Sequence, residues 1–235
     1  MKHQYFGDVN DYRKYGLLRG LQTHSGLRLG VCWMLTPDDG RSDGRFVDYL
    51  ERAGAWRSHD PGLFDSLRSS IGRGRNVSRV LEEGILGDTV FVDEIVPDSK
   101  FERGRFFDRS RRSLANTDLV FFDPDNGVEI PSCPAGRRNS SKYLMKNEIA
   151  ETYGDGRSLI IYQHFIRQER SAFIERISAE LGSLTGCREV HCFRTPNVAF
   201  LLLPHPNHEA MLTADAINAA AQWTGQIHHS VSALR

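Results

Sequence analysis

The stretch DLVFFDPDNG at residues 118–127 decides the fold, because an unbroken apolar run passes directly into turn-forming residues. Four consecutive apolar residues, 119–122, are typical of a strand that is buried on both faces of a parallel sheet. The Asp, Pro, Asn and Gly residues that follow end the strand in a turn. Ligands of open parallel sheets bind beyond the carboxyl ends of the strands, so this turn is a candidate site.

Apolar runs alternate with amphipathic segments on both sides of this strand. Further strands are predicted at residues 27–35, 89–95 and 158–162. Helices are predicted at residues 11–23, 45–52, 62–71, 77–83, 101–115, 142–153, 169–181 and 208–223. Such alternation indicates an α/β fold with a doubly wound, mostly parallel sheet.

The chain closes with a different pattern. Residues 188–194 and 198–203 are predicted strands joined only by Thr195-Pro196-Asn197. A parallel crossover needs a dozen or more residues, so the link requires a C-terminal antiparallel hairpin. We expect a single Rossmann-like domain over residues 1–235, with a helical insertion near 45–85 and a mobile loop near 128–141.

The formal net charge is zero, from 30 basic and 30 acidic residues, so only a local patch can attract nucleic acid. Arg105, Arg109 and Arg112 share one side of a predicted helix. They are the predicted contact for RNA or DNA, and the alternative is an ordinary solvated helix face. The sequence does not indicate an oligomeric state.

The cysteine pattern and the hydropathy predict the compartment. The four cysteines contain no C-x-x-C pair, which argues against a zinc knuckle and suits a reducing cytoplasm. Cys32 and Cys192 lie in apolar runs and are expected to be buried thiols. No apolar run is long enough for a signal peptide or a membrane span, so we expect a cytoplasmic protein without a membrane partner.

Polar clusters follow several predicted strands, and a parallel sheet brings them to one edge. The candidate catalytic residues are Asp123, Pro124, Asp125, Asn126 and His164. The candidate cofactor-binding residues at strand ends are Thr36, Asp38, Asp39, Gly40 and Asp93. The alternative for each cluster alone is a simple turn, since the same residue types favour turns.

Asp123 and Pro124 match the first half of the Asp-Pro-Pro-Tyr motif, which follows the fourth strand in enzymes that methylate exocyclic amines. An adenine amino group is a poor nucleophile, so a carboxylate and a backbone carbonyl must accept its hydrogens as the new bond forms. Asp125 and Asn126 depart from the second Pro and from the aromatic residue that stacks on the base. Phe165 or Tyr143 is the expected substitute for that aromatic face.

A second match lies at the start of the first helix, where Gly7, Asp11 and Lys14 fit a Gly-x-x-x-Asp-x-x-Lys pattern. On these residues the chain resembles class I methyltransferases that use S-adenosylmethionine, nearest to the bacterial large-subunit ribosomal-RNA adenine-N6 enzymes. The segments 7–12 and 123–127 also resemble an uncharacterised bacterial family. The resemblance implies S-adenosylmethionine near Gly7, Asp11, Lys14 and the first-strand loop, with Asp123 at the target amine. A closing hairpin is also the arrangement expected of that class.

Two other functions remain open. The first-strand turn has carboxylates where a methyltransferase usually has a glycine-rich turn, so Asp39, Asp123 and Asp125 could instead hold magnesium. That set predicts a magnesium- or manganese-dependent phosphohydrolase or nuclease, with His164 beside it. The second alternative is a non-catalytic Rossmann-like domain that binds a nucleotide or a partner protein.

Overall fold

The computed structural model describes residues 1–38, 40 and 44–234. Its strands are β1 (Leu29–Cys32), β2 (Val90–Val92), β3 (Leu119–Phe122), β4 (Gly127–Val128), β5 (Tyr143–Leu144), β6 (Ser158–His164), β7 (Glu189–Arg194), β8 (Val198–Leu203) and β9 (His228–Ala233). Its α-helices are α1 (Val9–Gly20), α2 (Ala53–Trp56), α3 (Pro61–Ile71), α4 (Arg79–Glu82), α5 (Lys100–Ser113), α6 (Lys146–Gly154), α7 (Arg170–Thr185) and α8 (Glu209–Gln222). Short 3-10 helices cover His3–Tyr5, Asp48–Glu51 and Ser140–Lys142.

Within those residues, seven strands form one sheet in the order β2-β1-β3-β6-β8-β7-β9. Neighbours from β2 to β6 pair in parallel, whereas β8 pairs antiparallel with both β6 and β7. The predicted α/β class, the mostly parallel sheet and the C-terminal hairpin are therefore confirmed. The order reverses at β1, which has β2 on one side and β3 on the other.

Each central strand is buried on both faces, as the run at residues 119–122 predicts. Val31, Phe121 and Ile160 belong to a core that includes residues of α1, α3 and α8. Val120 and Ile161 point the other way, into a core that includes residues of α5, α6 and α7. This two-sided burial follows from the period-2 alternation of side chains along a strand.

Local signals explain where the helices begin and end. The Asp60 carboxylate accepts the Leu63 N–H at the start of α3, and Pro61 occupies the first turn, where it lacks only an N–H that would be unpaired. Glu169 caps α7 through the N–H groups of Ser171 and Ala172. Gly186 ends α7 at φ 75°, a conformation that favours glycine.

Several elements differ from the sequence prediction. The helix predicted for residues 45–52 is only a 3-10 turn at Asp48–Glu51, and α2, β4, β5 and β9 were not predicted. The helix predicted for residues 142–153 begins only at Lys146, because Tyr143 and Leu144 form β5 and pair with β4. Residues 228–233, for which the sequence predicts no element, form β9, which pairs antiparallel with β7. The strand β5 is only two residues long, and β9 has two apolar residues among its six, so neither carries an apolar pattern that predicts a strand.

The two segments singled out between the core strands are structured. Residues 45–85 contain the Asp48–Glu51 turn and the helices α2, α3 and α4. In the loop at 128–141, the Arg103 guanidinium donates to the Ser140 carbonyl and the Asp98 carboxylate accepts the Asn139 N–H. The mobility of this loop stays a prediction.

The cysteines 32, 133, 187 and 192 are free and buried, which confirms the interpretation of Cys32 and Cys192 as buried thiols. Across the described ranges, none of the helices is long and apolar enough to cross a membrane.

Candidate functional site

A small pocket of about 30 Å³ lies at the carboxyl ends of β3 and β6 and beside the first turn of α1, one strand away from β1, where the sheet order reverses. Six residues predicted from the sequence line it: Asp11, Lys14, Asp123, Pro124, Asp125 and His164. Open α/β sheets bind their ligands at such a reversal. The pocket therefore lies at the position where the fold predicts a ligand.

The centre of the pocket is a buried ion cluster. The Lys14 ammonium donates to Asp11 Oδ1 at 2.6 Å and to Asp123 Oδ2 at 2.7 Å. Lys14, Asp11 and Asp123 are each only 2% exposed, so water screens these contacts little. The cluster joins α1 to the end of β3 across 109 residues of chain. Of the sequence predictions, this meeting of Asp11, Lys14 and Asp123 is the one the structure supports most directly.

The turn before α1 aims these groups at the sheet. The Asp8 carboxylate accepts the N–H groups of Asn10 and Asp11, so Asp8 is the helix N-cap. Gly7 has φ +79°, a conformation that L side chains rarely adopt, and its N–H donates to Asp11 Oδ2 at 2.9 Å. The Tyr15 hydroxyl donates to the same oxygen at 2.9 Å, which leaves Oδ1 for Lys14. Gly7 therefore contacts the ion cluster through Asp11, and its role in cofactor binding stays a prediction.

Asp125 is held by a second set of donors. The Met1 ammonium lies 2.8 Å from Asp125 Oδ1, and the Thr36 hydroxyl donates to Oδ2 at 2.7 Å. The Met1 ammonium also donates to the Asp123 carbonyl at 2.9 Å. These contacts keep the pKa of Asp125 below its usual value, although burial opposes the shift. Thr36, predicted to contact a cofactor, holds a carboxylate in this structure.

Acidic groups outnumber cations in the lining. The carboxylates are Asp8, Asp11, Asp123 and Asp125, and the cations are Lys14 and the Met1 ammonium. Burial, together with the nearby Asp11 carboxylate, raises the pKa of Asp8 from 3.8 to about 7. Although burial opposes it, the pKa of Lys14 rises because both carboxylates favour the ammonium, so Lys14 is charged at neutral pH. The pocket can therefore accept a cation, and Asp8 can exchange a proton near neutral pH.

One wall of the pocket is aromatic. Tyr5 and Tyr162 line it, and the Tyr162 hydroxyl lies 3.0 Å from His164 Nε2. The pocket opens into a groove of about 560 Å³ that Phe46, Lys142 and Phe165 line further out. Of the two aromatic residues expected from the sequence, Phe165 reaches the groove, whereas Tyr143 lies in β5 and lines neither space.

Five residues that line the pocket were not predicted from the sequence to belong to the site: Met1, Tyr5, Asp8, Asn10 and Tyr162. A signal existed for Tyr162, because it is a polar aromatic residue inside the buried run 158–162. A signal also existed for Asp8, whose role as an N-cap places its carboxylate at the start of α1. The approach of residues 1–5 to the sheet edge leaves no local trace.

Several predicted residues lie apart from the cluster. Asp38 and Asp93 are exposed and line neither the pocket nor its groove, and Gly40 has open space around it. Asp39 lies outside the described residues. Asn126 lines the groove, where its carbonyl accepts the His164 N–H at 3.1 Å.

The arginines of α5, predicted to contact nucleic acid, have acidic or aromatic neighbours. Arg109 forms an ion pair with Glu94 at 2.8 Å, and the Arg105 guanidinium lies over the Phe101 ring. Arg112 lies beside Asp108 and Asp155, so acidic groups accompany this predicted nucleic-acid patch.

The predicted metal site has a separate outcome. Among residues 1–38, 40 and 44–234, no group of three or more His, Cys, Asp or Glu side chains is arranged to hold a metal ion.

The comparison with known proteins bears on the fold alone. No protein-family model and no curated protein matches the chain. Among solved structures, the protein LPL1258 of Legionella pneumophila str. Philadelphia 1, described by the family model DUF519, is similar with a TM-score of 0.50. The two chains are 11% identical, and the likeness covers 98% of each. At that identity the similarity supports the α/β architecture over the whole chain and carries no function with it.

Proposed function

We propose that the protein is an S-adenosylmethionine-dependent methyltransferase that acts on a nucleic-acid base or a related amine. The observation that carries the proposal is the Asp11–Lys14–Asp123 cluster in a pocket at the carboxyl ends of the strands. These are the residues on which the sequence resembles adenine-N6 methyltransferases. The hairpin of β7 and β8 supports the class I type of sheet.

The charge of the pocket suits a cationic group, and the groove into which it opens has the volume for a nucleoside cofactor. Its carboxylates outnumber its cations, and Tyr5 and Tyr162 offer apolar faces beside them. S-adenosylmethionine, when bound, supplies an electrophilic methyl group on a positively charged sulfur. The lining charge favours such a ligand over an anionic one.

The chain's own residues account for the handling of the amine. Lys14 engages Asp123 Oδ2, so Oδ1 remains to accept one hydrogen of the substrate amine, and the Pro124 carbonyl accepts the other. The buried ammonium of Lys14 fixes the Asp123 carboxylate in one orientation. Asp8, with a pKa of about 7, can take up the proton that the amine loses.

Calorimetry tests cofactor binding directly. We expect S-adenosylmethionine and its demethylated product to bind the wild-type protein, and absence of heat at millimolar concentration would contradict the proposal.

Transfer of labelled methyl groups to adenine-containing oligonucleotides then tests the reaction. Asp123→Ala should lower the rate by about 10²-fold or more, while retained circular dichroism excludes unfolding. Asp88→Ala removes an exposed carboxylate before β2, at the opposite sheet edge, and is the matched control.

A further inference from the structure

A second groove, of about 610 Å³, lies at the same edge of the sheet, beside the turn that joins β7 to β8. We call it the C-terminal groove. Arg170, Arg194, Thr195, Pro196, His228 and His229 line it together with the end of α8. Its position follows from the topology, since β7 ends and β9 begins at the carboxyl edge.

The charge of this groove differs from that of the pocket. Among its described lining residues there are two arginines and two histidines and no carboxylate. Over the described ranges, neither Arg170 nor Arg194 forms an ion pair, whereas Arg109 of the predicted patch pairs with Glu94. The nearby Glu169 carboxylate accepts the first N–H groups of α7, so it is directed at the helix. The groove therefore presents cationic donors that no acidic partner neutralises.

The ring of His229 shapes one wall of the groove. Burial, followed by the influence of His191 and His228, lowers the pKa of His229 from 6.5 to about 4, so this ring is uncharged at neutral pH. The His229 ring stacks on Phe193, with centroids 4.6 Å apart, which holds it at the groove wall. Because His229 Nε2 lies 3.1 Å from His191 Nδ1, the donors that the groove offers to phosphate oxygens are the guanidinium N–H groups.

The C-terminal groove is adjacent to the candidate site. The Arg170 guanidinium lies 5.4 Å from the centre of the Phe165 ring, which lines the groove that leads to the pocket. The Phe165 N–H donates to the Asn197 carbonyl, so the hairpin turn separates the two spaces. Three strand spacings, from β3 through β6 and β8 to β7, separate Asp123 from Arg194, which amounts to about 14 Å. A ligand that reaches both must be longer than one nucleoside.

We propose that the C-terminal groove binds the phosphodiester backbone of a single-stranded nucleic acid. The identity of the base that this strand delivers to the pocket rests on the proposed function. Phe165 and the 66% exposed Phe46 line the connecting groove, and aromatic faces bind the bases of a single strand by stacking. The phosphate contacts come from Arg170 and Arg194, in place of the α5 arginines expected from the sequence.

Fluorescence anisotropy with a labelled single-stranded oligonucleotide of about ten nucleotides tests the surface without any methyl transfer. Arg170→Gln/Arg194→Gln should weaken binding about tenfold or more and reduce the slope of log K against log[salt] by about 1.4, or 0.7 per lost phosphate contact. Arg28→Gln/Arg188→Gln is the matched control, because it removes the same charge from exposed positions at the opposite sheet edge. RNA and DNA strands are measured in separate arms, which distinguishes the two sources of the same backbone.

Three outcomes would overturn the inference. In the first, the wild-type protein binds neither RNA nor DNA at low salt, and in the second, the control variant loses as much affinity as Arg170→Gln/Arg194→Gln. The third outcome is a loss of affinity in Arg105→Gln/Arg112→Gln alone. Failure of the proposed function has its own measurement, because a protein that does not bind S-adenosylmethionine gives no heat of binding in calorimetry. A protein that binds the strand through Arg170 and Arg194 but not the cofactor would retain the groove and exclude the methyltransferase.

Discussion

At the scale of single residues, the site is defined by charges that folding takes out of water. Lys14 replaces its hydration with two carboxylates, which offsets the cost of burial only because both contacts are short. Among the described residues, Asp8 forms no ion pair. Its carboxylate receives backbone N–H groups, but burial and the neighbouring Asp11 outweigh them and raise its pKa.

Replacement of Asp8 by Asn should change how stability depends on pH. The folded protein binds the Asp8 proton more tightly than the unfolded chain, with a pKa of about 7 against 3.8. The wild-type free energy of unfolding should therefore fall as the pH rises from about 4 to 7. Asn keeps the cap, so Asp8→Asn should be more stable than wild type at pH 8, by up to about 4 kcal/mol, and similar to it below pH 4.

Urea unfolding over that pH range measures the effect. Asp65→Asn is the control of opposite sign, because Arg57 lowers the pKa of Asp65 and the exposed pair weakens on acidification. A difference between wild type and Asp8→Asn that stays constant from pH 4 to 8 would contradict the shift.

At the scale of elements, close approach of helices positions α1 and therefore its charged first turn. Gly16 of α1 faces Trp223, which follows α8, and a β-carbon at Gly16 would lie 1.9 Å from Trp223 Cζ2. The backbone of α1 can approach the indole ring because residue 16 has no side chain.

Gly16→Ala should destabilise the protein by about 1 to 3 kcal/mol, even though alanine favours a helix, because the indole has to move. Gly104→Ala is the matched control, since Gly104 lies inside α5 with nothing within 4 Å of its added β-carbon. That control should gain up to about 1 kcal/mol from helix propensity. Thermal unfolding followed by circular dichroism gives both values, and a gain in both variants would refute the close contact.

At the scale of the whole molecule, one sheet separates two hydrophobic cores. The three tryptophans, Trp33, Trp56 and Trp223, belong to or pack against the core on the α1 side. Leu181 of α7 is fully buried in the core on the other side. The same central strands serve both cores, so loss of packing on one side should weaken the other.

Leu181→Ala should lower the free energy of unfolding by about 2 to 5 kcal/mol. Tryptophan fluorescence and circular dichroism should report the same midpoint, as expected for one cooperative domain. Leu81→Ala removes a side chain that is 60% exposed and should change stability by less than about 0.5 kcal/mol. Separate midpoints for the two probes would mean that the two sides unfold independently.

Much of the fold could be predicted because its signals are local. Residues 119–122 form β3 as the apolar run indicates, and the three-residue link 195–197 permits only a hairpin. The site was predicted in part, because a parallel sheet brings strand ends together whatever their separation in sequence. Asp93 directly follows β2 at the same edge, but its side chain is exposed. A position at the sheet edge therefore does not by itself place a side chain in the pocket.

The sequence by itself determined the apolar strands of the main sheet, the turns that end them and the sheet edge at which polar residues gather, because side-chain hydrophobicity and turn chemistry act over a few neighbouring residues. Only the tertiary structure decided that Lys14 lies between Asp11 and Asp123, that Asp125 faces the Met1 ammonium, and that Arg170 and Arg194 remain without acidic partners. These pairings depend on burial and on contacts between segments far apart in the chain, where distances of a few ångströms decide which charges are neutralised.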